Sequence, residues 1–354
     1  MRVYTARWLL PVASPRVRDG AVAVDHAGRI AYVGPAAGAP PGTPHPLGDA
    51  VLLPGLVAVH AAPDQPAAPG VTTVATPVAS PGALAALLAS GVRAVAYSTV
   101  VGPTPADRAP ALAALHESVA RTRAAIAAAG ATTRVQSGVA LAPVHAVHED
   151  LLLDASAWAV GERLPLAIPA GASASELAFI RDAAGPHADA LRTAGVDVVR
   201  RAHSTVHLLA ELGVAPVARP LLVGGALFDE SDVALAAYYD CPVAYAPLGT
   251  TPGPLPALLD AGAPVAIAAS TDLLLTAARL ARTPAEALHL VTLGAARALG
   301  LDAAVGSLEV GKSADLCAFP LDHAVAETSG PERAVLTSAT RATLLTTVRG
   351  DRLP

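Results

Sequence analysis

The chain has 354 residues, of which 53% are hydrophobic and 15% charged, with a net charge of −5 at pH 7. This balance excludes a disordered chain, and with no basic run and only three Phe, two Trp and six Tyr it gives a nucleic acid neither an electrostatic footprint nor a stacking platform. Alanine-rich stretches such as residues 109–129 are interrupted by Arg, Glu and His, so no run of about 20 uncharged apolar residues spans a bilayer, and the N-terminus lacks a cleavable-signal pattern; the expectation is a cytoplasmic protein without a membrane partner.

Residues 17–24 read as a strand with an Asp19-Gly20 turn, and residues 27–29 separate it from a strand at 30–33. Residues 35–46 are rich in Pro, Gly and Ala and read as a loop before a buried strand at 51–60. Helical stretches and short apolar runs then alternate: 83–90 before 92–99, 109–129 before 133–142, 150–162 before 164–169, and 175–194 before 196–199. The pattern continues with 205–212 before 220–223, 231–239 before 242–246, and 255–261 before 264–269. Strands this apolar fit a parallel sheet covered by helices, and about eight of them fit closure into a barrel, with an open doubly wound sheet as the alternative. Residues 306–319 and 341–349 return to the strand texture of the first fifty residues, so the two ends are expected to pair in one small β-domain.

Two cysteines, Cys241 and Cys317, are too few and too far apart in sequence for a disulfide framework or a thiolate zinc site, and are expected as buried thiols. Lys312 is the only lysine, so no barrel lysine is available as a Schiff-base nucleophile or, once carboxylated, as a metal bridge.

Three segments together resemble the branch of the amidohydrolase superfamily that holds cytosine deaminases, triazine hydrolases, imidazolonepropionases and aminofutalosine deaminases. They are the entry Leu52-Leu-Pro-Gly-Leu-Val-Ala-Val-His60, the run from Leu164 through Asp232, and Thr283-Pro-Ala-Glu-Ala-Leu with Gly306-Ser-Leu-Glu-Val-Gly-Lys-Ser-Ala-Asp315. The middle run is most similar to aminofutalosine deaminases. The resemblance implies a TIM-like (β/α)₈ barrel over residues 53–305 and a small β-sandwich built from residues 1–52 and 306–354.

In that branch the resemblance implies a metal held by two histidines after strand one, one on strand five, one on strand six and an aspartate on strand eight, which acidifies a bound water. Here His60 matches the first position and Ala62 the second; the strand-five His-x-x-Glu falls on Pro169-Ala170-Gly171-Ala172. The strand-six histidine falls on Gly224, a substrate-facing histidine on Leu227, and the aspartate on Ser270, with Asp272 two residues on and able to share its strand face. The expectation is therefore a degenerate site with no metal cofactor.

His60 is open to three readings: a relic ligand, a proton-transfer group, or a barrel histidine hydrogen-bonded in place. His145 sits in a stretch similar to the family's substrate-binding Ala-Pro-His after strand four, with one residue inserted, and is the leading substrate contact. Tyr245, at a strand-seven mouth position, reads as a ligand contact or a core aromatic. Asp64 reads as a loop residue or a relocated acid, and His148 as solvated. His203 and His207 have i, i+4 spacing, but Ser204 or Thr205 is a plausible N-cap that leaves His203 outside the helix. Glu176 is expected to favour a helix dipole.

Two functions stand. The leading one is a metal-independent descendant of the deaminases, a pseudoenzyme that binds a small molecule at the barrel mouth or a repurposed enzyme. The other is an active hydrolase or deaminase acting on a C–N bond of a cyclic, purine-nucleoside-like substrate, with His60 and Asp272 as catalytic candidates beside His145. Relatives often form dimers, and a homodimer stays open.

Overall fold

The computed structural model describes residues 1–59, 68–249, 251–269, 272–338 and 342–353, and its contacts divide into two units. His60, Ala62, Asp64 and Ser270 lie outside the described residues. The first unit holds Met1–Val74, Ala89–Arg93 and Ala269–Pro354; the second holds Ala75–Leu88 and Ala94–Ala268.

The terminal strands are β1 Arg2–Leu9, β2 Val17–Val24, β3 Ile30–Pro35, β4 Thr43–Pro46 and β5 Ala50–Pro54. They are followed in the chain by β6 Leu56–Val59, β7 Val71–Pro77, β8 Arg93–Val100, β9 Val135–Leu141, β10 Leu166–Ala170, β11 Leu221–Gly224, β12 Val243–Tyr245 and β13 Val265–Ile267. The last strands are β14 Leu316–Pro320, β15 Leu345–Val348 and β16 Asp351–Arg352.

One mixed sheet joins both ends of the chain in the order β16-β15-β14-β5-β1-β2-β3, with β4 paired to β1. Residues of six of these strands, among them Tyr4, Val22, Ile30, Leu52, Leu316 and Leu345, share one buried cluster, and the alternate residues Val3, Ala21 and Ala23 form a second. Asp19 and Gly20 do not turn: β2 runs straight through them, with Gly20 opposite Ala6, and the reversal between β1 and β2 falls at residues 10–16 instead. The turn around Gly28 is where the sequence places it, with the Asp25 carboxylate accepting from the backbone of Ala27 and Arg29 and Gly28 at φ 75°. In the same unit the Arg93 guanidinium donates to the Asp315 carboxylate at 2.9 Å, with both side chains nearly sealed from solvent.

The second sheet follows chain order, β6 through β13, and its described pairings from β8 to β13 are all parallel. Its strands are buried nearly end to end, which is why they read as continuous apolar runs rather than alternating ones. Helices follow the strands: Pro81–Ala89 after β7, Arg108–Ala128 after β8, Glu149–Gly161 after β9, and Glu230–Tyr238 after β11. The fold is a TIM-like (β/α)₈ barrel with a small β-domain built from both termini.

Two strands differ from expectation. Residues 196–199 form no strand; Val199 is 61% exposed and pairs with nothing in the sheet. Val71–Pro77, whose Thr72, Thr73 and Thr76 disguise it, is a fully fledged strand that supplies the eighth position. Among the described residues no helix is long and apolar enough to cross a membrane, and both cysteines are free and buried.

Candidate functional site

His145, Glu176 and Asp229 of the second unit follow the C-terminal ends of β9, β10 and β11, the end at which barrel loops build binding sites. The segment after β10 is closed by backbone. Gly225 N donates to Ala170 O at 2.8 Å and Leu227 N to Gly171 O at 3.1 Å, so the β10 and β11 ends are zipped together past the sheet. Gly224 has φ 131°, and a Cβ there would stand 2.6 Å from the Ala170 carbonyl oxygen; at Gly171, φ 60°, a Cβ would meet the Phe228 ring at 2.6 Å.

Glu176 holds this closure. It lies in the first turn of the helix Ala174–Asp182, which Ser173 caps. Its carboxylate is buried and accepts from Gly171 N at 2.8 Å, Ala172 N at 3.0 Å and Thr205 Oγ1 at 2.5 Å. Its role is thus wider than the helix-dipole one expected of it: it satisfies two loop amides and ties that loop to the start of the helix Thr205–Glu211.

The loop after β9 is arranged differently. His145 sits in the short turn Val144–Ala146, pinned because Gly102 N donates to Ala146 O at 2.9 Å and His148 N to Gly102 O at 2.7 Å. Its ring stacks on His187, 3.5 Å between centroids and 11° from parallel, and meets Phe179 edge-on at 6.0 Å. Its Nδ1 is buried with no hydrogen-bond partner. Burial first, and the neighbouring His187 second, pull the His145 pKa down to about 4, so the ring is uncharged at neutral pH. His187, in the first turn of Pro186–Thr193, places Nε2 at 3.3 Å from Ser175 Oγ, which lies 3.0 Å from Ser173 Oγ.

A third group surrounds the end of β11. Asp229 caps the helix Glu230–Tyr238 and holds His203 Nε2 at 2.5 Å. Burial pushes the Asp229 carboxyl upward, but hydrogen bonds from His203, Ser231 and the Asp232 amide, with the His203 charge, outweigh it and hold it below the usual carboxylate range. Asp232, buried, takes the Ser204 hydroxyl and lies 3.2 Å from His207 Nδ1. Ser204 is the N-cap, so His203 stands outside the helix and His207 inside it, each with its own carboxylate rather than sharing an ion.

Of the four residues marked from sequence, His145 and Tyr245 lie in the second unit and Asp272 in the first, and His60 lies outside the described residues. The Tyr245 hydroxyl donates to Pro252 O at 2.8 Å, the side chain is 1% exposed, and burial raises its pKa, so it packs in the core at the end of β12. Asp272 is exposed at the N-cap position of Leu273–Leu280, with no side-chain cap bond. His148 is a cap as well: its Nδ1 accepts from Asp150 N at 3.3 Å. His187 and Ser175 escaped the sequence reading, because nothing in the chain pattern announces that a residue after Gly185-Pro186 will lie flat on His145.

The metal that the resemblance implies needs donor side chains at 169–172 and at 224, and Pro169, Ala170, Gly171, Ala172 and Gly224 offer none. Among the described residues no three His, Cys, Asp or Glu side chains converge to hold an ion. The described residues at these positions do not fit that metal.

No curated protein matches this chain. Solved structures do. Helicobacter pylori aminofutalosine deaminase in complex with methylthio-coformycin superposes with a TM-score of 0.79 at 15% identity, over 100% of this chain and 100% of that one. An adenosine deaminase from Xanthomonas campestris with bound zinc gives 0.75 at 20% identity, over 99% and 92%. Guanine deaminase of E. coli gives 0.74 at 14% identity, over 100% and 98%. At such identities the likeness is one of fold. The model of the amidohydrolase family matches residues 67–351, most of the sequence, and the chain belongs to that family.

Proposed function

We propose that this chain is a hydrolase acting on a C–N bond of a cyclic, purine-nucleoside-like molecule bound at the C-terminal ends of β9, β10 and β11. The observation that carries this reading is family membership across residues 67–351, joined to the polar side chains gathered at the strand ends where barrel enzymes work. In such a reaction water adds to the ring carbon, the C–N bond breaks, and the amine departs with a proton that originated on the water. His145 supplies a substrate contact, and the His203–Asp229 pair, about half exposed, supplies a place where a proton is taken up and returned. His60 and Asp272 are the sequence-based candidates for the catalytic pair. Ammonia release or ring opening should be followed across purine nucleosides and related cyclic amidines, with loss of turnover in His60→Ala and His145→Ala. A folded protein that turns over no member of the panel counts against the reading.

One observation favours a second reading. Gly224, where the strand-six histidine would stand, has no room for a ligating side chain, which favours a homologue that binds the heterocycle without hydrolysing it. This reading is told apart by a ligand-dependent rise in Tm with no product formed.

A further inference from the structure

His145 and His187 form a face-to-face imidazole pair in a protein where every other described histidine ring contact is tilted, edge-on, or with a residue other than histidine. We infer that His187 is a positioning residue: lying flat on His145, it fixes that ring with Nδ1 turned into the protein and Nε2 turned outward as a single N–H donor. The site then presents a ligand with one neutral N–H donor, fitted to a hydrogen-bond acceptor such as a carbonyl oxygen or a bare ring nitrogen. This rests on His145 being a ligand contact.

Three observations carry the inference. First, Nδ1 is buried without a partner, so placing a proton there would bury an N–H with no acceptor; the neutral ring with its proton on Nε2 avoids this, and the charged ring cannot. Second, two imidazoles 3.5 Å apart and 11° from parallel disfavour a charge on His145 while excluding water from the face between them. Third, His187 is itself fixed, its Nε2 against Ser175, Ser175 against the capping Ser173, and its backbone in a helix that begins with Pro186. Phe179 closes an edge of the His145 ring and carries the Arg201 guanidinium 6.0 Å from its own centroid, so the titratable partner of His145 is His187. A neutral Nε2–H pairs with any hydrogen-bond acceptor and adds no positive charge to the site, so recognition of the ligand there rests on the acceptor's position.

The test is imidazole ¹⁵N spectroscopy of the full chain as wild type, His187→Ala and His187→Phe, with folding checked by circular dichroism. The expected wild-type result is one His145 tautomer, protonated on Nε2 and taking up no second proton until near pH 4. His187→Ala should mix the tautomers and move the His145 midpoint up by about one pH unit, while His187→Phe keeps the wild-type tautomer. A wild-type His145 protonated on Nδ1, or a His187→Ala spectrum unchanged from wild type, overturns the inference, and His187→Phe with the wild-type spectrum still decides it if His187→Ala fails to fold. Adenosine is then titrated in: about tenfold weaker binding to His187→Ala supports the positioning role, and equal affinity overturns it. If wild type binds no adenosine, the proposed ligand class is lost, and the tautomer result decides the positioning role by itself.

Discussion

The loop after β10 and the loop after β9 leave the same end of the barrel sheet and treat their polar groups in opposite ways. After β10, every donor near Glu176 is taken: the Gly171 and Ala172 amides and the Thr205 hydroxyl all end on one buried carboxylate. After β9, His145 keeps a buried nitrogen with no partner and a second nitrogen uncommitted. A fold gains nothing by leaving a buried polar atom unmatched, so the first loop serves stability and the second is available for a ligand.

Removing Glu176 should break this contrast with the largest effect. Glu176→Ala strands three donors, the Gly171 amide and Thr205 hydroxyl buried and the Ala172 amide partly so, and is expected to lower stability by about 4 kcal/mol, read from urea unfolding, at about 1–3 kcal/mol per unmatched group reduced by local relaxation. Gly224→Ala comes next, at about 3 kcal/mol, because its Cβ would press on the Ala170 carbonyl at a φ that side chains rarely adopt. His145→Phe should change stability by less than about 1 kcal/mol, since it removes an unmatched nitrogen and keeps a planar ring between His187 and Phe179.

An effect of similar size is a pH dependence. His145 takes its proton near pH 4 when folded and near 6.5 when unfolded, so above about 6.5 both states are uncharged and stability is at its full value. As pH falls from 6.5 toward 4 the unfolded chain gains a proton that the folded chain does not, and stability declines, on the order of 1 kcal/mol once solvent screening of a partly exposed ring is allowed for. Burial and then Arg297 lower the His289 pKa as well, so His145→Phe should flatten this slope without abolishing it.

Much of the architecture was legible because apolar runs in parallel strands are hard to disguise, and the paired ends of the chain share one alternating texture. Two strands were misjudged for opposite reasons. Val196–Val199 is apolar but leads nowhere in the sheet, whereas Thr72, Thr73 and Thr76 are polar by name and fully buried in β7. Asp19-Gly20 carries turn chemistry inside a strand whose register is set by seven pairings with β1, of which Gly20 makes only one. Near the site, Ser204 was legible as a cap through its residue type. What stayed hidden was long-range: a carboxylate reaching back five residues to Gly171, and His187 stacking on a ring far away in the chain. Pattern along a sequence reports which face is buried, and it is silent on which buried polar group meets which.

The central claim is that His145 serves a ligand rather than the fold, and one measurement reaches it directly: ammonia release from adenosine by wild type and by His145→Phe at matched folded fraction. The account predicts release by wild type and a loss of about 100-fold or more in a variant that unfolds at the wild-type urea midpoint. A variant that keeps the wild-type rate, or one that loses rate only because it loses stability, would contradict it.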